Sequence, residues 1–300
     1  MGAVAVLDLG SNTVKITVAE LSSDGIEILD ERVRATRIVE GRKGPRLARE
    51  SVERTLSELE ALSEGLPTHR LGVATASLRG AEGQEAIRAE LRCRTGFELE
   101  VISGIREAEL AFLGPQTLYG RDLAVSFDVG GHSSEVSGLR RGVWKGDSFP
   151  VGALSVAANL IDPPDARAQQ EMRRRSREAL TAFEPDFDPG RVVGVSGTAL
   201  AILGISRDTF DMKALLKAHD GGVVTAEALE EMIGLWAAKP SVNRIRGDVI
   251  PAMRADALIG GLVLVSEILA RLKAPSFHIT PRGVRHGLLV ELQRRNTGTQ

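Results

Sequence analysis

Asp8-Leu9-Gly10-Ser11-Asn12 closes an apolar run that begins at Ala3, and Asp128-Val129-Gly130-Gly131-His132-Ser133-Ser134-Glu135 closes a second run that begins at Asp122. In both places an apolar strand ends in Asp-x-Gly, passes through a small polar loop and re-enters a strand. After the first loop, the apolar residues Val14, Ile16 and Val18 alternate as a half-buried strand requires. A strand–loop–strand unit that occurs twice is an internal repeat, and a repeat outranks any single motif in deciding the fold. It predicts two similar α/β halves facing each other across a cleft, with a boundary near Gly120 that divides the chain into residues 1–120 and 121–300.

The segments around the two loops alternate between strand and helix patterns. Helices are predicted over Ala48–Glu64, Gln84–Thr95, Arg106–Leu113, Ser155–Ile161, Ala166–Phe183, Ala226–Trp236, Arg254–Leu272 and Val284–Arg294, and another begins at Ala199. Strands are predicted within Glu27–Val39 and over Leu71–Thr75, Leu99–Ile102, Trp144–Phe149, Val192–Val195 and Ser276–Thr280. Asp24-Gly25 reads as a hairpin turn. The last helix is expected to pack back on the first half, and Asn296–Gln300 to form a loose tail.

Bulk properties narrow the function. The 300 residues are 43% hydrophobic and 26% charged, which suits a folded globular chain. The formal net charge is -2, so attraction for a polyanion has to be local. Aromatics make up 4%, poor material for stacking bases, and nucleic acid is not expected as a partner. Cys93 stands alone, which excludes an internal disulfide and suggests a reducing compartment. The opening MGAVAVLDLG lacks the basic flank of an export signal, and Leu258–Val265 is too short to span a bilayer. A cytoplasmic protein without a membrane partner is the expectation; a homodimer is left open.

The loops carry the chemistry. A glycine-rich turn between strands exposes backbone N–H groups that can line an anion-binding concavity. Gly10, Ser11 and Asn12 offer this in one half, and Gly130, Gly131 and Ser133 with Ser134 in the other. Asp8 and Asp128, at the strand ends, are placed to hold hydrated Mg²⁺ against phosphate oxygens, because Mg²⁺ keeps waters and takes one or two carboxylates. A lone Asp-x-Gly is more often an ordinary strand end; two in equivalent positions favour a phosphate-chain site.

The two loops resemble the phosphate loops of the actin, heat-shock ATPase and sugar-kinase superfamily, and more narrowly those of the exopolyphosphatase / guanosine pentaphosphate phosphatase family. Further segments are similar in the family's order: VATASLRGA at Val73–Ala81, VISGIREAEL at Val101–Leu110, SFPVGAL at Ser148–Leu154, GVSGTA at Gly194–Ala199, Arg254-Ala255-Asp256 with Gly260-Gly261, and RGVRHGLL at Arg282–Leu289. The resemblance implies two ribonuclease-H-like (actin-like ATPase) domains and Mg²⁺-dependent removal of the terminal phosphate of inorganic polyphosphate or guanosine pentaphosphate. It implies that Glu107 is the general base for the attacking water, with Asp8, Asp128 and Glu135 at the metal. Arg79, the two loops through His132, Ser133 and Ser134, and the turn at Gly197 would hold phosphate. Phosphoryl transfer needs a positioned nucleophile and charge neutralisation more than covalent help, which suits such a set.

Three residues depart from the family pattern: His132 stands for a glycine, Ser134 for a threonine and His286 for an acid. His132 either obstructs the second loop or replaces a backbone contact by donating to phosphate, in which case phosphate would raise its pKa. Arg32, Arg34, Arg37, Arg42, Lys43, Arg46 and Arg49 form a basic run opposed by Glu40, readable equally as a rim for a phosphate tail or as a solvated surface. Two rival functions stay open: a phosphotransferase of the same superfamily, and a polyphosphate or alarmone sensor with little turnover.

Overall fold

The computed structural model describes residues 2–23, 25–217 and 221–297. The first half contains β1 (Ala3–Leu9), β2 (Thr13–Leu21), β3 (Ile26–Ala35), α1 (Arg49–Leu62), β4 (His69–Ala74), α2 (Gln84–Thr95), β5 (Glu98–Val101) and α3 (Gly104–Tyr119). The second contains β6 (Leu123–Val129), β7 (Ser134–Arg140), β8 (Val143–Phe149), α4 (Ala153–Ala157), α5 (Ala166–Ala179), β9 (Arg191–Val195), α6 (Ser196–Arg207), α7 (Met212–Lys217), β10 (Gly222–Thr225), α8 (Ala226–Ala237), α9 (Ala252–Ala255), α10 (Leu258–Leu272), β11 (Ser276–Ile279) and α11 (Val284–Thr297).

The repeat read from the loops is a repeat of topology. The first sheet has the order β3-β2-β1-β4-β5 and the second β10-β11-β9-β6-β7-β8. In each, an antiparallel β-meander is extended by parallel strands: β4 and β5 alongside β1, β9 and β11 alongside β6. β10 adds an antiparallel edge strand to the second sheet. The sheets are the two mixed α/β layers expected. β2 and β3 pair across the predicted hairpin; Asp24 itself lies outside the described residues, as do Gly298–Gln300 of the predicted tail, while Asn296 and Thr297 belong to α11.

The halves are laced together by their last helices. α3 packs on β6, β7 and β8 of the second sheet, whereas α11 packs on β1, β2 and β3 of the first, and the two helices cross against each other. The crossing needs glycine: a Cβ on Gly287 would lie 2.0 Å from the Leu110 carbonyl oxygen, and one on Gly114 would lie 2.4 Å from that of Arg282. Leu289 and Leu292 of α11 share a buried cluster with Val4, Val6, Ala19 and Leu21.

Several helices differ from the sequence pattern; α5, for one, stops at Ala179, short of the predicted Phe183. α3 continues through Gly114-Pro115 to Tyr119, past the predicted end at Leu113. Pro115 cannot donate to the carbonyl of Ala111, and the buried Ser126 hydroxyl donates there instead at 2.9 Å, so the break that proline normally causes does not occur. The helix predicted over Ser155–Ile161 is only α4: the backbone turns extended at Ala158, ψ 133°, and left-handed at Asn159, φ 59°. The helix predicted over Arg254–Leu272 divides into α9 and α10: the Ala257 N–H reaches back three residues to Arg254 rather than four. α7 and β10 carried no periodic signal long enough to be read.

Candidate active site

Strand pairing places the two loops as mirror counterparts. Asp8 pairs with Lys15 across β1 and β2, and Asp128 pairs with Glu135 across β6 and β7. Each loop is closed by the same bond, Gly10 N–H to Thr13 O and Gly130 N–H to Ser133 O, both at 3.0 Å. A Cβ on either glycine would press on that oxygen at 3.1 Å, so close approach explains both residues. The N–H groups of Ser11, Asn12, Gly131 and His132 donate to no backbone carbonyl among the described residues. The second loop is pinned from below by Ala153 and Leu154, whose N–H groups donate to Gly130 O and Gly131 O at 2.9 Å. A Cβ on Gly131 would come within 3.8 Å of the Asn12 Cβ, so the loops meet there.

Between them lies a cavity of about 80 Å³ reached by Ser11, Glu107, Ser133, Gly197 and both aspartates. Glu107 stands in the first turn of α3, whose N-terminus is capped by Ser103 accepting from Arg106 N–H at 3.1 Å. It is 7% exposed, and Arg79 donates to its carboxylate at 2.7 Å. Arg79 is itself steadied by a 3.2 Å bond to Ile102 O.

The site is rich in acid. Burial first, then the charges of Asp128 and Asp8, push the Glu107 carboxyl up to about 8 against the pull of Arg79. Burial raises Asp128 to about 6, opposed by Lys15 and Ser196. Glu135, 1% exposed, is raised well above its ordinary value by burial and by Glu107 and Asp128. Ser148 donates to one of its oxygens at 2.8 Å; the other has no hydrogen-bond partner among the described residues. The balancing cations are Arg79 and Lys15, whose Nζ lies 3.0 Å from Asp8. Among the described residues, no three His, Cys, Asp or Glu side chains converge as a metal cage.

The structure separates some residues that the sequence grouped. Glu135 is buried and does not line the cavity. Ser134 is fully buried with its hydroxyl directed to Val151 O at 2.8 Å. His132 is exposed on the outer side of its loop, lining a neighbouring pocket with Ser11 and Arg42. Partial burial of the ring, then Arg42 and Arg37, hold its imidazole below the ordinary value. His286 is buried 3.9 Å from Glu31, away from the cavity. Of the basic run, Arg32, Arg37 and Arg46 are paired with Asp30, Asp256 and Glu82, and Arg34 lies 3.8 Å from Glu58. Arg42, Lys43 and Arg49 have no carboxylate partner among the described residues.

Other residues line the cavity without having been assigned a site role: Lys15, Thr75, Ser196, Thr198 and Arg254. Lys15 was readable in principle, since a tight hairpin after Asp8 places it opposite. Arg254 was not. It reaches the cavity only because α9 docks there, where its guanidinium packs over Gly197 and donates to Val249 O at 2.7 Å. Burial lowers its pKa to about 10.

Comparison with known proteins gives the family and the fold. Residues 17–296 match the Ppx/GppA phosphatase family. Exopolyphosphatase 1 of Mycobacterium tuberculosis is 25% identical over 96% of this chain and 87% of its own length. Exopolyphosphatase 2 of the same organism is 29% identical over 90% and 91%. Among solved structures, an exopolyphosphatase from Cytophaga hutchinsonii superposes with a TM-score of 0.85 at 19% identity, covering 99% of both chains. The Aquifex aeolicus PPX-GPPA enzyme superposes at 0.78 with 22% identity, covering 97% of this chain and 99% of that one. At these identities the structural likeness speaks for the fold.

Proposed function

This chain belongs to the Ppx/GppA phosphatase family, a family of phosphoanhydride hydrolases, and we propose that its cleft removes the terminal phosphate of linear inorganic polyphosphate. The observation that carries the reading is Glu107: a buried carboxylate, held by Arg79, facing a cavity bounded by two equivalent glycine loops. The unengaged N–H groups of the loops take phosphate oxygens from both sides. Glu107 orients a water and takes its proton as the oxygen attacks the terminal phosphorus. The bridging P–O bond then breaks, and the shortened chain leaves with the electron pair.

A cation fits this site on one observation: the acids facing it, Glu107 and Asp128, are held above their ordinary values by burial and by acid neighbours. Asp8 and Asp128 would hold Mg²⁺, which would neutralise phosphate oxygens and favour the ionised form of Glu107. A second reading, the terminal anhydride of guanosine pentaphosphate, is favoured by a groove of about 820 Å³ along β3, where Ile28, Leu29, Val33, Met212, Leu216 and Met253 offer an apolar wall suited to a base. Phosphate release from both substrates, with and without Mg²⁺ and ADP, tests these readings. Release from polyphosphate without ADP supports hydrolysis; ATP formation identifies a phosphotransferase; tight binding without release identifies a sensor.

A further inference from the structure

Arg37 ties the first phosphate loop to the opposite half of the molecule. It follows β3 at φ 47°, a left-handed conformation that a side-chain-bearing residue keeps only where its surroundings over-determine it. Here they do. The N–H groups of Thr36 and Arg37 both donate to Asn12 O, at 3.0 and 3.1 Å, while Arg54 donates to Thr36 O and Arg37 O at 2.8 and 3.2 Å. The Arg37 side chain is 18% exposed. Its Nε is shared between Asn12 Oδ1 at 3.3 Å and Met253 O at 3.0 Å, and Nη2 meets both oxygens of Asp256 at 2.6 Å. Met253 and Asp256 flank Arg254, the cation that reaches the cavity from the second half. Asn12 is also the point where the first loop comes nearest to Gly131 of the second.

We propose that Arg37 is a positioning residue for catalysis: with Asp256 it clasps the two halves at the mouth of the cleft and holds Asn12 at the spacing from the second loop that a phosphate chain requires. Its guanidinium is engaged by protein acceptors, so it does not serve as a free polyanion ligand in the basic rim. The inference rests on the reading of the cleft as a phosphohydrolase site, and the test separates the two.

Arg37→Gly is the informative variant, because glycine adopts φ 47° without strain while the clasp is lost. Tm is expected to stay within a few degrees of wild type while kcat on polyphosphate falls about 10–100-fold, since a displacement near 1 Å can cost about 10²-fold. Asp256→Asn is expected to produce part of that loss, and the double variant no more than Arg37→Gly alone. Amide hydrogen exchange of the peptide containing residues 10–13 is expected to accelerate in both single variants, a readout that holds even for a protein that releases no phosphate. A lower Tm with kcat unchanged, additive losses in the double variant, or unchanged exchange in the loop would each overturn the proposal.

Discussion

Glu107→Gln should make the protein worse at hydrolysis and less sensitive to pH in its stability. The folded carboxyl titrates near 8 instead of 4.5, so between those values the folded chain holds a proton that the unfolded chain has released. Stability therefore falls as pH rises through that window. From pH 6 to pH 8 the folded carboxyl passes from protonated to half-ionised while the unfolded one is ionised throughout. At about 1.36 kcal/mol per pH unit per proton, wild type should lose about 2 kcal/mol from this group, or a few degrees in Tm. Glutamine is isosteric with the protonated acid and does not titrate, so the variant lacks this component. Arg79 loses an ionic partner but keeps an acceptor, because the amide oxygen of glutamine can take its N–H. Thermal denaturation of both proteins in metal-free buffer at pH 6 and pH 8 measures the difference, and phosphate release should fall on the order of 10²–10⁴-fold in the variant. Parallel loss of Tm from pH 6 to pH 8 in the two proteins would refute the buried, charge-crowded environment assigned to Glu107. Turnover within a few-fold of wild type would remove it as the base.

Other expectations rest on separate features. Asp128→Asn replaces a hard ligand by an amide and should shift the Mg²⁺ titration of activity to higher concentration; an unchanged titration removes Asp128 from the metal site. Changing Arg42 and Lys43 together to Ala should raise KM for long polyphosphate more than for short, an effect that shrinks at high salt over a screening length of about 8–10 Å; equal effects return both residues to plain solvated surface. Gly287→Ala should cost at least about 1–3 kcal/mol in urea denaturation, because the new Cβ lands on the Leu110 carbonyl and the α3–α11 crossing has to open. Gly234→Ala in α8, which meets nothing within 4 Å, should instead gain about 0.5–1 kcal/mol, and a similar cost in both variants would contradict the crossing.

Much of the architecture was legible because strands, turns and amphipathic helices depend on nearby residues. The Asp-x-Gly repeat corresponds to two sheets of matching order, and Gln84–Thr95 is α2 to the residue. One error falls where a distant group overrides the local signal. Pro115 should stop α3, but Ser126 from another strand satisfies the carbonyl that the proline leaves without a donor.

The sequence by itself determined where the two glycine loops fall and which acids end their strands. Those are properties of backbone periodicity and register, written in consecutive residues. Only the tertiary structure decided the electrostatics. The equivalent position that holds Lys15 in one half holds Glu135 in the other, and burial turns that exchange into raised pKa values. Arg37, one of seven cations in a basic run, is removed from the solvent-facing set by a partner 219 residues away, and His132 points outward from the loop that contains it. Desolvation and pairing depend on what packs against a side chain, and here that is set by the crossing of α3 and α11 and the docking of α9, contacts between segments far apart in the chain.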